Sequence, residues 1–133
     1  MYLLDTNALS EPLKRSPSPR FMSRLEAVRK ERLFTSAITV MELRYGCARH
    51  VGSVKLWQRI QREILDRMEV VPVDSPIVER AGDLLAAVHR RGRPRSTEDL
   101  LIAATGLAHG LIVVTHNTRD FKDIPGLRVE DWM

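Results

Sequence analysis

Cysteine is almost missing from this chain of 133 residues. The one thiol, Cys47, excludes an internal disulfide and a cysteine-rich zinc site, and it fits a reducing, cytoplasmic setting. Aromatic residues make up only 5%, so base stacking would not dominate contact with a nucleic acid. Several large enzyme classes are excluded by missing motifs. There is no GxxxxGK-Ser/Thr phosphate loop, no GxGxxG dinucleotide fingerprint, no GxSxG nucleophile elbow and no HExxH zinc spacing. Asp5-Thr6-Asn7 also lacks the second aspartate of a DxD phosphotransferase. No basic n-region precedes the apolar start, and Asp5 interrupts it, so no signal peptide is expected. The stretch from Leu100 to Thr115 carries no Asp, Glu, Lys or Arg, but it is short for a membrane span and His109-Gly110 divides it. A buried helix, a glycine stop and a buried strand account for it, and no membrane partner is expected. Repeats, low-complexity tracts and linkers are absent, and the length favours one domain over residues 1–133.

What is present is an ordinary globular balance, 44% hydrophobic and 29% charged. The net charge of +4 and pI near 9.7 suit a polyanionic partner, although charge alone does not establish one. Short, apolar, β-branched runs alternate with helical periodicity. Strands are expected at 2–5, Leu33 to Thr39, Val70 to Val73, Leu111 to Thr115 and Leu127 to Val129; Pro72 marks a sheet edge. Helices are expected over Thr6 to Leu13, Phe21 to Glu31, Val40 to about Arg49, Ser53 to Met68, Ser75 to Gly92 and Ser96 to His109. Ser75 would cap the fifth, with Pro76 at its first helical position. This alternation predicts an α/β fold with a parallel sheet covered on both faces.

In such a sheet, ligands bind beyond the carboxyl ends of the strands. Asp5 ends the first strand, Thr39 and Glu42 follow the second, and Thr115, His116 and Asn117 follow the Leu111 strand. Asp120 comes a little later, and Asp99 lies in the first turn of the helix leading into that strand. Taken singly, each has a bland account. Thr39-Val40-Met41-Glu42 reads as a capping box, and Ser96-Thr97-Glu98-Asp99 as an analogous cap. Asp5 could cap the helix after it, Asp120 reads as a turn residue, and His116 as a loop histidine. Taken together, carboxylates brought to one dry sheet edge are costly without a cation. An oxygen-only set suits magnesium or manganese, and helix amino termini offset roughly 0.3–1 kcal/mol of the repulsion per well-placed group.

Four pieces in order, "LLDTNALSE", "ITVMELRYG", "EDLLIAATGLAHGLIVVTHNTRDF" (Glu98 to Phe121) and "IPGLRVEDW", resemble the PIN-domain family, especially its VapC-type toxins of bacterial toxin–antitoxin pairs. The resemblance covers nearly the whole chain; residues 50 to 75 match only in helical character. It implies a PIN-like three-layer α/β/α sandwich around a parallel sheet of about five strands. It implies a metal-dependent endoribonuclease, the toxin of a type II pair, inhibited by a cognate VapB-type antitoxin. Asp5, Glu42 and Asp99 match the family's acidic residues. Asn117 falls at the fourth position, with Asp120 as another candidate. The implied cofactor is Mg2+, or Mn2+, held by Asp5 and Asp99, with Glu42 joining directly or through water. An asparagine at 117 leaves the centre with fewer negative charges than four carboxylates, which weakens the case for a second metal. The resemblance further implies cleavage of structured RNA of the tRNA or rRNA class, 5′-phosphate and 3′-hydroxyl products, and a homodimer.

Thr6 and Thr115 are expected to hold either the carboxylates or a scissile phosphate. "HRRGRPR", His89 to Arg95, sets Arg91, Arg93 and Arg95 just before the Asp99 helix, where they would form a phosphate-tracking rim or a solvated loop. Lys14, Arg15 and Arg20 invite the same reading. Two other functions fit parts of the sequence. A non-catalytic RNA-binding domain of the same fold would not need the full Asp5, Glu42, Asp99 set. A small-molecule phosphohydrolase would not need the basic surface.

Overall fold

In the computed structural model, which describes residues 1–133, five short strands pair in parallel. They are β1 (Tyr2–Leu4), β2 (Leu33–Ser36), β3 (Glu69–Val71), β4 (Ile112–Val114) and β5 (Val129–Glu130), in the order β3-β2-β1-β4-β5. Six helices connect and cover them: α1 (Thr6–Ser10), α2 (Pro19–Ala27), α3 (Ala37–Ala48), α4 (Ser53–Glu63), α5 (Ser75–Arg90) and α6 (Thr97–His109). The expected α/β/α sandwich on a five-stranded parallel sheet is the fold observed.

Side-chain alternation explains the layers. Successive residues of a strand point to opposite faces. Leu4 and Val114 join Leu9, Phe21, Leu25, Leu43 and Ile60 in a core under α1–α4. Their neighbours Leu3 and Val113 join Val88, Leu100, Ile102 and Phe121 in a second core under α5 and α6. Each strand must therefore be apolar at consecutive positions, which is why the sequence shows runs there. Cys47 is part of the first core, 3% exposed, with its Sγ donating to the Ser53 carbonyl at 3.2 Å. No helix is long and apolar enough to cross a membrane.

The strand order places the site. From β1 the chain moves outward to β2 and β3, then returns to the other side of β1 for β4 and β5. The direction reverses between β1 and β4, the position where open α/β sheets form ligand crevices. Register aligns the ends: Leu4 lies opposite both Thr35 and Val114. The next residue on each strand, Asp5, Ser36 and Thr115, thus emerges at one edge.

Several boundaries differ from the sequence expectations. The second strand ends at Ser36 rather than Thr39, because Ser36 caps α3 by accepting from the Ile38 N–H at 3.1 Å. Thr39 is then inside the first turn, fully buried, with its hydroxyl unpaired. The Thr39-x-x-Glu42 capping box does not form. The cap of α5 is Asp74, not Ser75; its carboxylate accepts from the Ile77 N–H at 3.2 Å, and Pro76 is the second helical residue. Ser18 caps α2, which begins at Pro19 and ends at Ala27. The long helix expected to Met68 stops at Glu63 and continues as a 3-10 turn, Leu65–Arg67. The two outer strands do sit at the sheet's edges, but they are Glu69–Val71, which ends just before Pro72, and Val129–Glu130.

One glycine sets the packing of α6 on β4. A Cβ at Gly106 would lie 3.0 Å from Leu127 Cδ1, 3.1 Å from Val113 Cγ2 and 3.3 Å from the Leu111 carbonyl. Gly106→Val should therefore overpack the second core and lower stability by about 1–3 kcal/mol, read as a lower urea midpoint. An unchanged midpoint would mean that α6 can move away from the sheet freely.

Candidate active site

A polar cleft of about 120 Å³ opens at the carboxyl edge of the sheet, lined by Asp5, Thr6, Asn7, Glu42, Asp99, Ile102, Asn117 and Phe121. Each acidic group arrives there by a local rule. Asp5 follows β1 and caps α1, accepting from the Ala8 N–H at 2.9 Å. Glu42 lies on α3 one turn beyond its start, and its Oε1 accepts from the Thr6 hydroxyl at 2.6 Å. Asp99 is in the first turn of α6, its N–H bonded to the Ser96 hydroxyl at 3.1 Å. The Ser96 half of that capping motif forms as expected.

Asp5 is 5% exposed, and its carboxyl titrates above the usual aspartate value of 3.8. Burial is the largest cause; the Thr115 hydroxyl, the Ala8 N–H and His116 oppose it, while the charge of Asp99 adds to it. Asp99 is raised too, first by burial, with Ser96 opposing and Asp120, Glu42 and Glu98 pushing it further. The cleft is thus a place where negative charge is held against desolvation and like-charge repulsion. No trio of His, Cys, Asp or Glu side chains stands at chelating distance. The carboxylates rim the cleft instead of closing on a point.

The other expected residues sort clearly. Asn117 lines the cleft, its N–H held by the Thr115 hydroxyl at 2.9 Å. Asp120 lies in the adjoining cleft with His116, Asn117, Thr118 and Arg119, near enough to act on Asp99 by charge. Thr6 holds Glu42. Thr115 has no exposed surface and serves Asp5 and Asn117, so it is a support for the carboxylate and not a phosphate contact.

The expected arginine rim does not form as one unit. Arg95 is turned inward, with a side chain 14% exposed and bonds to four backbone carbonyls, those of Arg93 and Pro94 in its own loop and of Arg119 and Asp120 beyond it, and to the Asp123 carboxylate. Arg91 donates to the Asp123 carbonyl at 3.1 Å, and Arg93 lies 3.8 Å from the Asp123 carboxylate, both on the surface. Lys14 is paired with Glu11 at 3.0 Å. Arg15 and Arg20 are exposed.

Two acids escaped the sequence reading. Glu11 is 1% exposed; its carboxylate accepts from Lys14 and from the Ser18 N–H at 3.2 Å, and His116 Nε2 is 3.7 Å away. Burial alone would raise its pKa, but Lys14, the Ser18 N–H and His116 together hold it below the usual 4.5. The other ring nitrogen of His116 faces Asp131 at 3.4 Å. His116 thus sits between Glu11 and Asp131, bonded only to Asp131, its Nε2 buried without a hydrogen-bond partner and its side chain 18% exposed, so little surface is left for RNA. The Glu11-to-Lys14 spacing was the one available signal for the pairing of Glu11. Asp123 had none, since its partner Arg95 is far away in sequence.

A parallel α/β sheet with an acidic crevice at its switch point defines the class, and the chain's similarity to known proteins agrees with it. A family model described as PIN domain matches residues 2–127, and the chain belongs to the PIN-domain family. It is 33% identical to the tRNA(fMet)-specific endonuclease VapC of Salmonella typhimurium, over 98% of this chain and 97% of that protein. It is 35% identical to toxin FitB of Neisseria gonorrhoeae, over 91% of each chain. Among solved structures, the DNA-bound VapBC of Salmonella typhimurium superposes with a TM-score of 0.90 at 33% identity, covering 99% of this chain and 98% of that one. FitAB bound to a DNA fragment gives 0.90 at 31% identity, covering 100% and 96%.

The pKa directions fix the sign of a pH effect. Asp5 and Asp99 keep their protons to higher pH when folded, so each adds stability below its unfolded value of 3.8 and loses it as pH rises through the raised folded value. Glu11 is the reverse: it adds stability above 4.5, lost as pH falls through its lowered folded value. Asp99→Asn should thus melt higher than the natural chain at neutral pH in EDTA. Relief of burial and repulsion exceeds the roughly 0.3–1 kcal/mol of helix-terminus attraction that is lost. The gap should close as pH falls below 3.8, and manganese should narrow or reverse it. A lower midpoint for Asp99→Asn in EDTA, indifferent to metal, would reduce Asp99 to a capping acid.

Proposed function

We propose that this chain is a Mg2+- or Mn2+-dependent endoribonuclease, the toxin of a type II toxin–antitoxin pair. The observation that carries this reading is the oxygen-lined cleft of Asp5, Glu42, Asp99 and Asn117 at the sheet's switch point, in a chain similar to VapC ribonucleases over nearly its full length. The donor set fits a hard divalent cation by type, with oxygen atoms only and two aspartates whose ionisation a positive ion would favour. Asp5 and Asp99 would hold the ion, and Glu42 would join directly or through water. Such an ion supplies Lewis-acid polarisation of the phosphodiester and a bound water of lowered pKa.

The protein's own groups prepare that chemistry. The Ala8 N–H and the Thr115 hydroxyl fix the Asp5 carboxylate. Thr6 fixes Glu42, which in this reading orients the attacking water. Asn117 offers an uncharged amide at the rim, able to donate to a phosphate oxygen without adding to the repulsion. The net positive charge elsewhere, +4 overall, draws RNA toward a locally acidic cleft.

Relatives named tRNA(fMet)-specific endonucleases favour a tRNA substrate. Solved VapBC and FitAB assemblies favour a VapB-type antitoxin as partner. Asp5→Ala and Asp99→Ala should each cut RNA at least about 100-fold more slowly, since a lost metal ligand removes several kcal/mol of transition-state stabilisation. Binding to RNA should survive in both. Mapping new 5′ ends in cellular RNA after induction, beside Asp5→Ala, would test this; equal cleavage by either variant would show that the centre is misassigned.

Co-purification from the native operon provides a second check. A small protein should travel with the chain and suppress its cleavage of RNA. Isolation of the chain alone, active and harmless when overproduced, would contradict the toxin role.

A further inference from the structure

We propose that Arg95 is a positioning residue of the cleft, holding the Asn117–Asp120 turn against the start of α6, and that it does not bind phosphate. The proposal rests on the reading of the cleft as a ribonuclease centre. Arg95 directly precedes Ser96, the cap of α6, and so lies four residues before Asp99. Its Nε donates to the Asp120 carbonyl at 3.1 Å. Nη2 donates to the Arg119 carbonyl at 3.3 Å and to Asp123 Oδ2 at 2.8 Å. Nη1 donates to the Arg93 and Pro94 carbonyls at 3.4 and 3.2 Å. A guanidinium has five N–H donors, and these acceptors account for all of them. No donor remains for RNA.

The acceptors say what the clamp does. Thr118–Asp120 form a 3-10 turn directly after Asn117, and two of its carbonyls, Arg119 and Asp120, take bonds from Arg95. The last carbonyls of a helical turn have no partner of their own and need one from outside. A planar fork can serve two carbonyls and a carboxylate at once, which a lysine ammonium on the same stem does less well. Asp123 anchors the fork, and Arg93 at 3.8 Å and Arg91 at its carbonyl surround the same residue. The clamp spans the gap between the two chain segments that bring Asp99 and Asn117 to the cleft. Sequence reading grouped Arg95 with its neighbours as a phosphate rim; its burial separates it from them.

The test uses the full chain with Arg95→Met, Arg95→Lys and Asp123→Asn. Three quantities are read: kcat and KM for RNA cleavage with magnesium, the salt dependence of tRNA binding in EDTA, and amide hydrogen exchange over residues 118–122 without metal. Arg95→Met should lower kcat by about 10- to 100-fold, the range for groups that orient metal ligands, with KM and the salt slope unchanged. Exchange over 118–122 should quicken. Asp123→Asn should act in the same direction, and Arg95→Lys should fall between. Wild-type kcat and exchange, with a salt slope reduced by about one, would make Arg95 a phosphate contact and overturn the proposal. If Arg95→Met does not fold, the isosteric Asp123→Asn decides by the same readings. If the natural chain itself cuts no RNA, the ribonuclease reading falls, while the exchange measurement still decides whether Arg95 holds the turn.

Discussion

The hydrogen bond from the Asp5 N–H to the Val114 carbonyl, 3.1 Å, continues the ladder between β1 and β4 one residue past the strand. It fixes the backbone of Asp5 at the point where the sheet changes direction. From there the chain turns into α1, and the carboxylate that caps this helix is also the one most deeply set in the cleft. Capping and site formation are therefore one event. The same bond ties Asp5 to the strand that leads into Thr115 and Asn117. On the other side, Thr35 donates its hydroxyl to the Leu4 carbonyl at 2.9 Å, locking β2 beside β1 just before α3 carries Glu42 toward Thr6. Three strands in register thus deliver groups that are far apart in the chain.

The cleft gathers negative charge, and the surrounding structure manages it in two ways. Asp5 and Asp99, inside the cleft, are left opposed to burial and to neighbouring negative charge, and titrate high. Acids just outside it are neutralised. Glu11 is enclosed with Lys14, a backbone N–H and His116, and Asp123 is enclosed by arginines. Asp123 braces the loop that carries Asn117 through Arg95, and Glu11 lies beside the His116 ring of the same loop. A carboxylate paired with a lysine or arginine builds scaffold; one without such a cationic neighbour is available to a metal ion.

Much of this was legible because it is local. The apolar triplet Tyr2–Leu4 before Asp5, the Ser96 cap, the Gly110 stop and Pro72 at an edge each declare themselves within a few residues. The acidic set Asp5, Glu42 and Asp99 was also readable, Asp5 from the end of its strand and Glu42 and Asp99 from the starts of the helices that carry them. The start of α3 was not. "TSAIT" offers hydroxyls at Thr35, Ser36 and Thr39, and only the pairing of Thr35 with Leu4 shows that the strand ends at Ser36. That shift moves Glu42 from a capping role to the second turn, facing Thr6. The Arg95–Asp123 pair was equally invisible, because its partners meet only after α6 and β4 have folded back. Proximity in sequence made four arginines look alike, and burial made one of them different.

Cys47 carries a practical consequence. Its thiol is enclosed in the core beneath α3 and engaged with the Ser53 carbonyl, so alkylating reagents and mild oxidants meet no accessible sulfur on the native molecule. A single cysteine placed on the surface would become a unique chemical handle without any need to remove the natural one. Two such positions on opposite walls of the cleft would accept a pair of spin or fluorescent labels. The opening of the crevice could then be followed as a distance while nucleic acid or a protein inhibitor enters it.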